Sequence, residues 1–511
     1  MLKDRIIKLL KELVALPSTT HTVKECLVED YLVNHLQSLE YFKKHPDYVG
    51  KSPIIADVLG RSNVFALVKG RSNKTVIFIN HHDVVETSVY GEAEDYAYSM
   101  DELPAILRKL NPTKEQEEDL LSGQWLFGRG SNDMKGGMAV QLALLEEFSE
   151  KAQVLEGSLL FISVADEESF SDGMRSAIKL LEQLKETHNL SYEFLINSEP
   201  NPQINGKQIA YVGSVGKILP VVLVQGKTVQ LSNYQEGLNP LGVLAKLVAQ
   251  TEGDVNFIET CKGEETLPPI WLYMRDLKEA YDFSICRQAA AYCNILSFKR
   301  GPAEVLEYFK SKAEAIAKDY ANLKVMTYQE LQALAKAKEG YNEFQAQLTK
   351  EQNRMLSAEG KDFPSVTIHA MQRLLVFTLP EEPVILLGFA PPYYPALNSE
   401  DMDQVKTELV KKIVSQQLAC EFKQYFLGVS DCSYCGVQEN IKQDAYELNT
   451  PLWGSSYNFD NQALAKLNIP FILLGPWGKE LHCSFERVNI KSLTEDLPTV
   501  LKSLCESLWK A

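Results

Sequence analysis

Short apolar runs alternate with amphipathic stretches over much of this chain. Four of the runs predict strands: TVIFIN (75–80), SLLFISVA (158–165), EFLINS (193–198) and PFILLG (470–475). Helical periodicity follows several of them, as in MAVQLALLEEF from Met138 and MRSAIKLLEQL from Met174. Strands that alternate with helices are typical of an α/β domain with a mainly parallel sheet. We therefore predict this fold class.

A different pattern begins near Gly213, where GSVGK indicates a hinge. The strand-like ILPVVLVQG, the helical NPLGVLAKLVAQ and the strand candidate IWLYMRDL then predict an inserted α+β domain. From Pro302 to about Asp362, Ala, Lys, Glu and Gln recur at helical spacing, which favours solvated helices over a partner-binding surface. The apolar run VILLGFA after Glu382 predicts a return to a buried sheet.

Length and composition indicate a globular protein with more than one domain. A single hydrophobic core stops growing at about 250–300 residues, and this chain has 511. Hydrophobic residues make up 45% and charged residues 23%, which are ordinary values for globular proteins. The net charge is −16, and no basic run marks a phosphate-binding surface. Nucleic acid is therefore not an expected partner.

The beginning of the sequence and its cysteines bear on the cellular compartment. MLKDRIIKLLKELVALPS has the pattern of an amphipathic helix with charges throughout, unlike a signal peptide. No window offers the roughly 20 apolar residues of a membrane span. Nine scattered cysteines, an odd number, are typical of a reducing compartment. We expect a cytoplasmic protein with free thiols and no membrane partner.

The first candidate for chemistry is INHHDVVE, where a predicted strand ends in His81, His82 and Asp83. Residues two apart on a strand face the same side, so His81 and Asp83 can converge while His82 points away. This suits a metal-ligating imidazole whose other N–H is oriented by a carboxylate. A structural hydrogen-bonded pair would give the same pattern.

A second candidate is FGRGSNDMKGGMA, which places Asp133 in a glycine-rich turn before a helix. Glycines allow tight backbone conformations, so one carboxylate can be aimed at a point without steric conflict. A phosphate-binding loop is the rival interpretation, but the Walker spacing of glycines, Lys and Ser or Thr is absent.

In VADEES, a predicted strand ends in three adjacent carboxylates, Asp166, Glu167 and Glu168. Neighbouring carboxylates repel one another, so positive charge is expected nearby, and a metal would supply it. Glu167 and Glu168 can then divide proton transfer and ligation between them. A solvent-exposed acidic loop is the alternative.

Two further residues complete the pattern: Glu199 in INSEP and His482 in GPWGKELHCSFERV, each after a predicted strand. Together these clusters place two histidines and at least three carboxylates beyond the carboxyl ends of predicted parallel strands, where open α/β sheets bind ligands. The joint pattern is far less expected by chance than any one member.

The motifs HHDVV, GRGSNDMKGG, DEES, SEP and the late His482 resemble, in the same order, those of a di-zinc metallopeptidase family. This family includes aminoacylase, acetylornithine deacetylase, succinyl-diaminopimelate desuccinylase, carboxypeptidase G and peptidase T. DEESFSDGMR, APPYYP, VSDCSYCG and GPWGKELH look most like its long form, associated with arginine utilisation. The resemblance implies a hydrolase that cleaves an amide or peptide bond of an N-acyl amino acid or short peptide.

The resemblance also implies a role for each candidate. Two divalent ions, with Zn²⁺ as the expected metal, would share Asp133. His81 and Glu199 would complete one site, and Glu168 and His482 the other. Asp83 would orient His81, and Glu167 would be the general base that carries a proton from the attacking water to the leaving amine.

The inserted domain carries one departure from the family pattern. Many members have a lid histidine in a GKxxH motif, whereas GKTVQ puts Gln230 there, and the following EGLNP with Asn239 still resembles the lid. Gln230 and Asn239 are therefore candidates for substrate binding. A glutamine cannot carry charge, which leaves open a metal-binding member of low activity with a binding or regulatory role.

The change of pattern near Gly213, together with the need for His482 to meet His81 and Asp133, predicts a domain division. The family resemblance implies a homodimer formed through the lid. We expect a catalytic domain built from residues 1–212 and 373–511, with 213–372 as the lid and dimerisation domain.

Overall fold

The computed structural model describes residues 2–55, 57–357, 362–438 and 444–511. The chain divides into two compact units. The first comprises Met1–Ser214, Leu397–Val437 and Phe459–Ala511, and the second comprises Val215–Ala396 and Gln438–Asn458. The second unit is therefore inserted twice into the chain of the first.

The first unit is an α/β structure, and its elements are numbered along the whole chain. Its strands are β1 (Val49–Pro53), β2 (Ser62–Val68), β3 (Lys74–His81), β4 (Trp125–Phe127), β5 (Ser158–Val164), β6 (Ser191–Asn197), β7 (Gln203–Ile204), β8 (Lys207–Tyr211), β9 (Gly213–Ser214), β17 (Leu397–Asn398), β18 (Cys420–Lys423), β19 (Phe471–Leu473), β20 (Gly478–Lys479) and β21 (Arg487–Asn489). Its helices are α1 (Leu2–Val14), α2 (Cys26–Ser38), α3 (Glu40–Lys44), α4 (Leu103–Leu107), α5 (Lys114–Ser122), α6 (Lys135–Glu150), α7 (Asp172–Thr187), α13 (Ser399–Met402), α14 (Gln404–Gln417), α16 (Asn461–Leu467) and α17 (Leu497–Leu508).

The large sheet of this unit has the order β1-β2-β5-β3-β6-β19-β8-β18, with β7 paired to β8. The central strands β5, β3, β6 and β19 run parallel, whereas β1 and β2 extend the sheet antiparallel at one edge. This confirms the predicted α/β fold with a mainly parallel sheet. The four runs predicted as strands are β3, β5, β6 and β19.

Helices bury the central strands. Val76 and Phe78 of β3 belong to one core cluster with Leu142 of α6 and Leu501 of α17, and Ile77 on the opposite face is also fully buried. A parallel strand covered on both faces has a continuous apolar sequence, which explains the unbroken runs. The carboxyl ends of these strands are thereby held at one rigid edge.

The second unit is an α+β structure around a five-stranded sheet of order β13-β14-β10-β16-β15. Its strands are β10 (Gly216–Gln225), β11 (Thr260–Cys261), β12 (Glu264–Glu265), β13 (Ile270–Asp276), β14 (Gln288–Ser297), β15 (Lys324–Thr327) and β16 (Val384–Tyr394). Its helices are α8 (Pro240–Thr251), α9 (Pro302–Ala317), α10 (Tyr328–Lys336), α11 (Tyr341–Leu356), α12 (Phe363–Thr378) and α15 (Asp444–Asn449).

The downstream limit of this unit differs from the boundary at 372 expected from the sequence. β16 pairs antiparallel with β10, from Lys217 opposite Tyr394 to Gln225 opposite Val384. The apolar run after Glu382 therefore belongs to the sheet of the second unit, and residues 438–458 return to it. The assignment of this unit as a lid and dimerisation domain stays a prediction.

Two further expectations concern helices and thiols. Among the described residues, no helix is long and apolar enough to cross a membrane. All nine cysteines are free thiols, as expected from their number and spacing.

Candidate metal centre

Three neighbouring parallel strands deliver the candidate residues to one edge of the large sheet. His81 is the last residue of β3, Glu167 and Glu168 follow β5, and Glu199 follows β6. Because β3 lies between β5 and β6, with His81 in register with Val164, the three loops leave the sheet side by side. Residues that are far apart in the sequence therefore lie close together.

Asp133 and His482 reach this edge from two other segments. Asp133 lies in the turn just before α6, and a Cβ on Gly137 would lie 2.1 Å from the Ser198 carbonyl oxygen. Only a glycine allows this close approach, which brings the start of α6 against the backbone that carries Glu199. His482 lies between β20 and β21, and its φ of +60° is unusual for a non-glycine residue.

The side chains form two ligand sets that share Asp133. The first candidate ion site consists of His81, Asp133 and Glu199, and the second of Asp133, Glu168 and His482. His81 Nε2 lies 3.2 Å from Asp133 Oδ1 and 3.7 Å from Glu199 Oε1. His482 Nε2 lies 3.2 Å from both Asp133 Oδ2 and Glu168 Oε2. The two oxygens of one carboxylate thus face one histidine each.

The donor atoms fit divalent cations. Imidazole nitrogens and carboxylate oxygens are ligands of zinc, and the ligand atoms of each set lie within 4.8 Å of one another. Glu168 Oε1 and Glu199 Oε1 are buried, and neither finds a hydrogen-bond donor within the described part of the chain. Buried polar atoms are nearly always partnered, and a cation is the partner that two such carboxylate oxygens suit.

Asp83 links His81 to the loop after β5. The Asp83 carbonyl oxygen lies 3.0 Å and its Oδ1 3.3 Å from His81 Nδ1. Its carboxylate also accepts the backbone N–H groups of Glu167 and Glu168, each at 3.1 Å. Burial opposes ionisation, but the hydrogen bond to His81 lowers the pKa of Asp83 to about 2. His82 points elsewhere, with Nδ1 3.1 Å from Ser163 Oγ.

Glu167 and Glu168 occupy different positions despite being adjacent. Glu168 Oε2 lies beside His482, whereas Glu167 Oε2 lies 4.0 Å from His81 Nε2 and belongs to neither ligand set. Burial raises the pKa of Glu167 well above its usual value and that of Glu168 to about 7. The surroundings therefore disfavour further negative charge unless cations are present.

The two candidates for substrate binding lie in the second unit. Gln230 is exposed, and its Oε1 accepts a hydrogen bond of 3.2 Å from Ser232 Oγ. Asn239 caps the start of α8, where its Oδ1 accepts the Leu241 N–H at 3.1 Å. The capping bond explains why asparagine occurs there without any reference to substrate. A substrate role for either residue stays a prediction.

A fully buried arginine that the sequence did not single out supports the acidic loop after β5. Arg61 Nη1 donates to Asp166 Oδ1 at 2.5 Å and to Glu25 Oε1 at 2.9 Å, and Glu25 Oε2 accepts the Asp166 N–H. Asp166 has a φ of +66°. The positive charge expected for Asp166 thus comes from Arg61, whereas Glu167 and Glu168 lie near His81 and His482, respectively.

Asp431 is a further buried carboxyl near the first ion site. It lies in the VSDCSYCG segment, and its Oδ1 finds no hydrogen-bond partner in the part of the chain that the structure describes. Burial raises its pKa to about 7, and it interacts electrostatically with His81 and Glu199. Only the family-like motif around it could have identified this residue.

A family comparison decides what these observations mean. A model described as peptidase family M20/M25/M40 matches residues 96–501 of the chain. The chain belongs to this family. The predicted resemblance to the metallopeptidases is thereby confirmed, and the M20 match covers Asp133, Glu167, Glu168, Glu199 and His482.

Two relatives match this M20 chain over nearly its whole length, and another matches about a third of it. The Bacillus subtilis protein YqjN is 31% identical over 99% of this chain and 97% of its own. Protein RocB of the same organism is 29% identical over 98% of this chain and 94% of its own. A succinyl-diaminopimelate desuccinylase of Beijerinckia indica is 29% identical over 34% of this chain and 39% of its own.

Solved structures of M20 proteins share the fold. The Bacillus subtilis YxeP protein, described as a dinuclear metal binding peptidase, matches with a TM-score of 0.55 at 11% identity and covers 100% of this chain and 99% of its own. A tripeptidase from Staphylococcus aureus matches with a TM-score of 0.53 at 14% identity, with the same coverage. At identities this low, structural similarity establishes the architecture alone.

Proposed function

We propose that this M20 chain is a hydrolase that holds two divalent ions, with zinc as the expected metal, and cleaves an amide or peptide bond in a small substrate. The observation that carries the proposal is the pair of ligand sets joined by Asp133. His81 and Glu199 would hold the first ion with Asp133, and Glu168 and His482 the second.

The substrate proposed is an N-acyl amino acid or a short peptide. Two kinds of similarity support this choice: a curated relative is named a desuccinylase, and a structural neighbour is a tripeptidase. A contribution to arginine or amino-acid breakdown rests on the resemblance to the long form of the family, to which RocB belongs.

Glu167 is proposed as the proton carrier. When bound, the paired ions supply Lewis acidity that polarises the scissile carbonyl and makes water acidic near neutral pH. Glu167 Oε2 lies within 4.0 Å of His81 Nε2 yet outside both ligand sets, so this carboxylate can accept a proton without leaving a metal. It then delivers the proton to the departing amine. Asp83 fixes His81 and the backbone of Glu167, so base and ligand keep their spacing.

Metal removal tests the proposal directly. The purified chain should bind about two zinc ions, and dialysis against a chelator should abolish turnover, which added zinc should restore. Metal analysis measures the number of bound ions. A screen of N-acyl amino acids and short peptides, in which release of the amine is followed, measures turnover. Absence of any bound divalent ion after reconstitution would contradict the proposal. Two ions without turnover of any substrate would favour the binding or regulatory alternative.

We also propose that a second copy of this chain pairs along β13. This strand is at one edge of the second unit's sheet, and Ile270, Leu272 and Met274, two residues apart, are 39%, 55% and 44% exposed. An edge strand that exposes apolar side chains is suited to pairing with another strand.

A charged substitution on this strand should prevent the pairing. Leu272→Lys should convert a dimer to a monomer, because it places a charge in the apolar surface that would be buried. Light scattering after size exclusion measures the mass. Val405→Lys provides the control, since Val405 is an equally apolar residue, 81% exposed, on α14 of the first unit. A dimer that survives Leu272→Lys, or a monomeric unsubstituted chain, would contradict the proposal.

A further inference from the structure

A buried ion pair lies beside the second ion site without contributing a ligand. The side chains of Arg129 and Glu486 are 1% and 0% exposed, and Arg129 Nη1 donates to Glu486 Oε2 at 2.6 Å. Two charges removed from water are costly unless further hydrogen bonds compensate them. The additional hydrogen bonds of this pair join it to the backbone of the segments that carry Asp133 and His482.

Glu486 holds the turn from which Asp133 projects. Its Oε1 accepts the backbone N–H groups of Asn132 at 3.1 Å and of Asp133 at 3.2 Å. A carboxylate that binds two successive N–H groups fixes the backbone of both residues. The Asp133 side chain must present one oxygen to each histidine, so a small rotation of this turn would misdirect both.

Arg129 contacts the loop that carries His482. Its Nη2 donates to the His482 carbonyl oxygen at 3.4 Å, and its guanidinium lies 5.1 Å from the centre of the Tyr90 ring. The His482 backbone has a left-handed conformation, which persists in a non-glycine residue only when surrounding contacts hold it. Arg129 is one of those contacts.

We propose that Arg129 and Glu486 are positioning residues that set the separation of Asp133 and His482. The inference rests on the proposed binding of two ions. The pair supports the backbone of two of the three ligands of the second ion site. In the first ion site it supports Asp133 alone, since His81 is held through Asp83 and Glu199 follows β6. Loss of the pair should therefore weaken the second ion more than the first.

The test is a zinc titration of Glu486→Gln, starting from the metal-free full-length chain. Glutamine keeps the shape of Glu486 but removes its charge and can no longer satisfy both Arg129 and the two N–H groups. Loss of a residue that orients metal ligands typically costs about 10- to 100-fold in metal affinity. We expect a weakening of that size for the second ion and a smaller weakening for the first, which depends on the pair through Asp133 alone. A competing chelator of known affinity separates the two binding steps.

Glu193→Gln is the matched control. Glu193 Oε2 lies 2.9 Å from Lys406 Nζ near the start of β6, at the opposite end of the strand from the ion sites. This variant also loses one partly buried charge pair, and both ions should bind with unchanged affinity.

Arg129→Lys keeps the inference testable if Glu486→Gln fails to fold. A lysine retains the charge, but its single nitrogen cannot bond Glu486 and the His482 carbonyl in the geometry of a guanidinium. It should again weaken the second ion more than the first. Equal weakening of both ions would indicate general destabilisation and overturn the inference, as would unchanged affinities. An unsubstituted chain that binds fewer than two ions would instead overturn the proposed metal centre.

Discussion

Replacement of Asp133 by alanine should empty both ion sites at once. Asp133 Oδ1 and Oδ2 lie 3.2 Å from His81 Nε2 and His482 Nε2, respectively, so a single carboxylate contributes to both ligand sets. Its removal would leave each proposed site with two ligands and would remove the negative charge that the two ligand sets share. We expect bound zinc to fall from about two ions per chain to none, and turnover to fall below detection. Elemental analysis of the purified variant measures the first effect.

The control for this experiment is Asp101→Ala. Asp101 is an exposed aspartate of the same unit, 76% exposed and paired with Lys11, so both ions should remain. Retention of one ion at full affinity in Asp133→Ala would show that Asp133 serves one site only.

Glu167→Gln and Glu168→Gln should separate the two roles of the acidic loop. Glu167 is outside both ligand sets, so its glutamine variant should keep both ions. The proton carrier is lost, and turnover should fall at least about a hundredfold, which corresponds to about 2.7 kcal/mol in the barrier.

Glu168→Gln should instead weaken the second ion site, since a neutral amide is a poorer ligand for a dication than a carboxylate. Excess zinc should then partly restore turnover. Metal content and turnover, measured for both variants on one substrate, distinguish the roles. If Glu167→Gln loses metal while Glu168→Gln retains it, the assignment of base and ligand is reversed.

Much of the candidate site could be predicted because strand periodicity and strand ends are local properties. The alternation of His81, His82 and Asp83 is a consequence of the strand repeat, and the structure brings His81 and Asp83 together with His82 turned toward Ser163. A parallel sheet then brings the ends of separate strands together, so distant residues could be expected to meet.

The residues that support the site could not be predicted in the same way. Arg61 and Glu486 act through contacts with residues far away in the sequence, and no sequence spacing indicates which carboxylate a buried arginine will meet. The downstream boundary of the second unit, expected at 372, differs from the structure for a related reason. The apolar sequence VILLGFA would suit a buried strand in the sheet of either unit. Only its pairing with β10 assigns it to the second unit.

The order of the ligands along the chain has a consequence for biosynthesis. His81, Asp133, Glu168 and Glu199 are all translated before the second unit, whereas His482 emerges from the ribosome only after it. Domains generally begin to fold while synthesis proceeds, yet β19, which lies next to β6, is also translated after the second unit. A nascent chain therefore carries all the proposed ligands of the first ion before the second unit is translated. The proposed paired centre requires His482, so a chain that terminates within the second unit lacks a ligand of the second ion site.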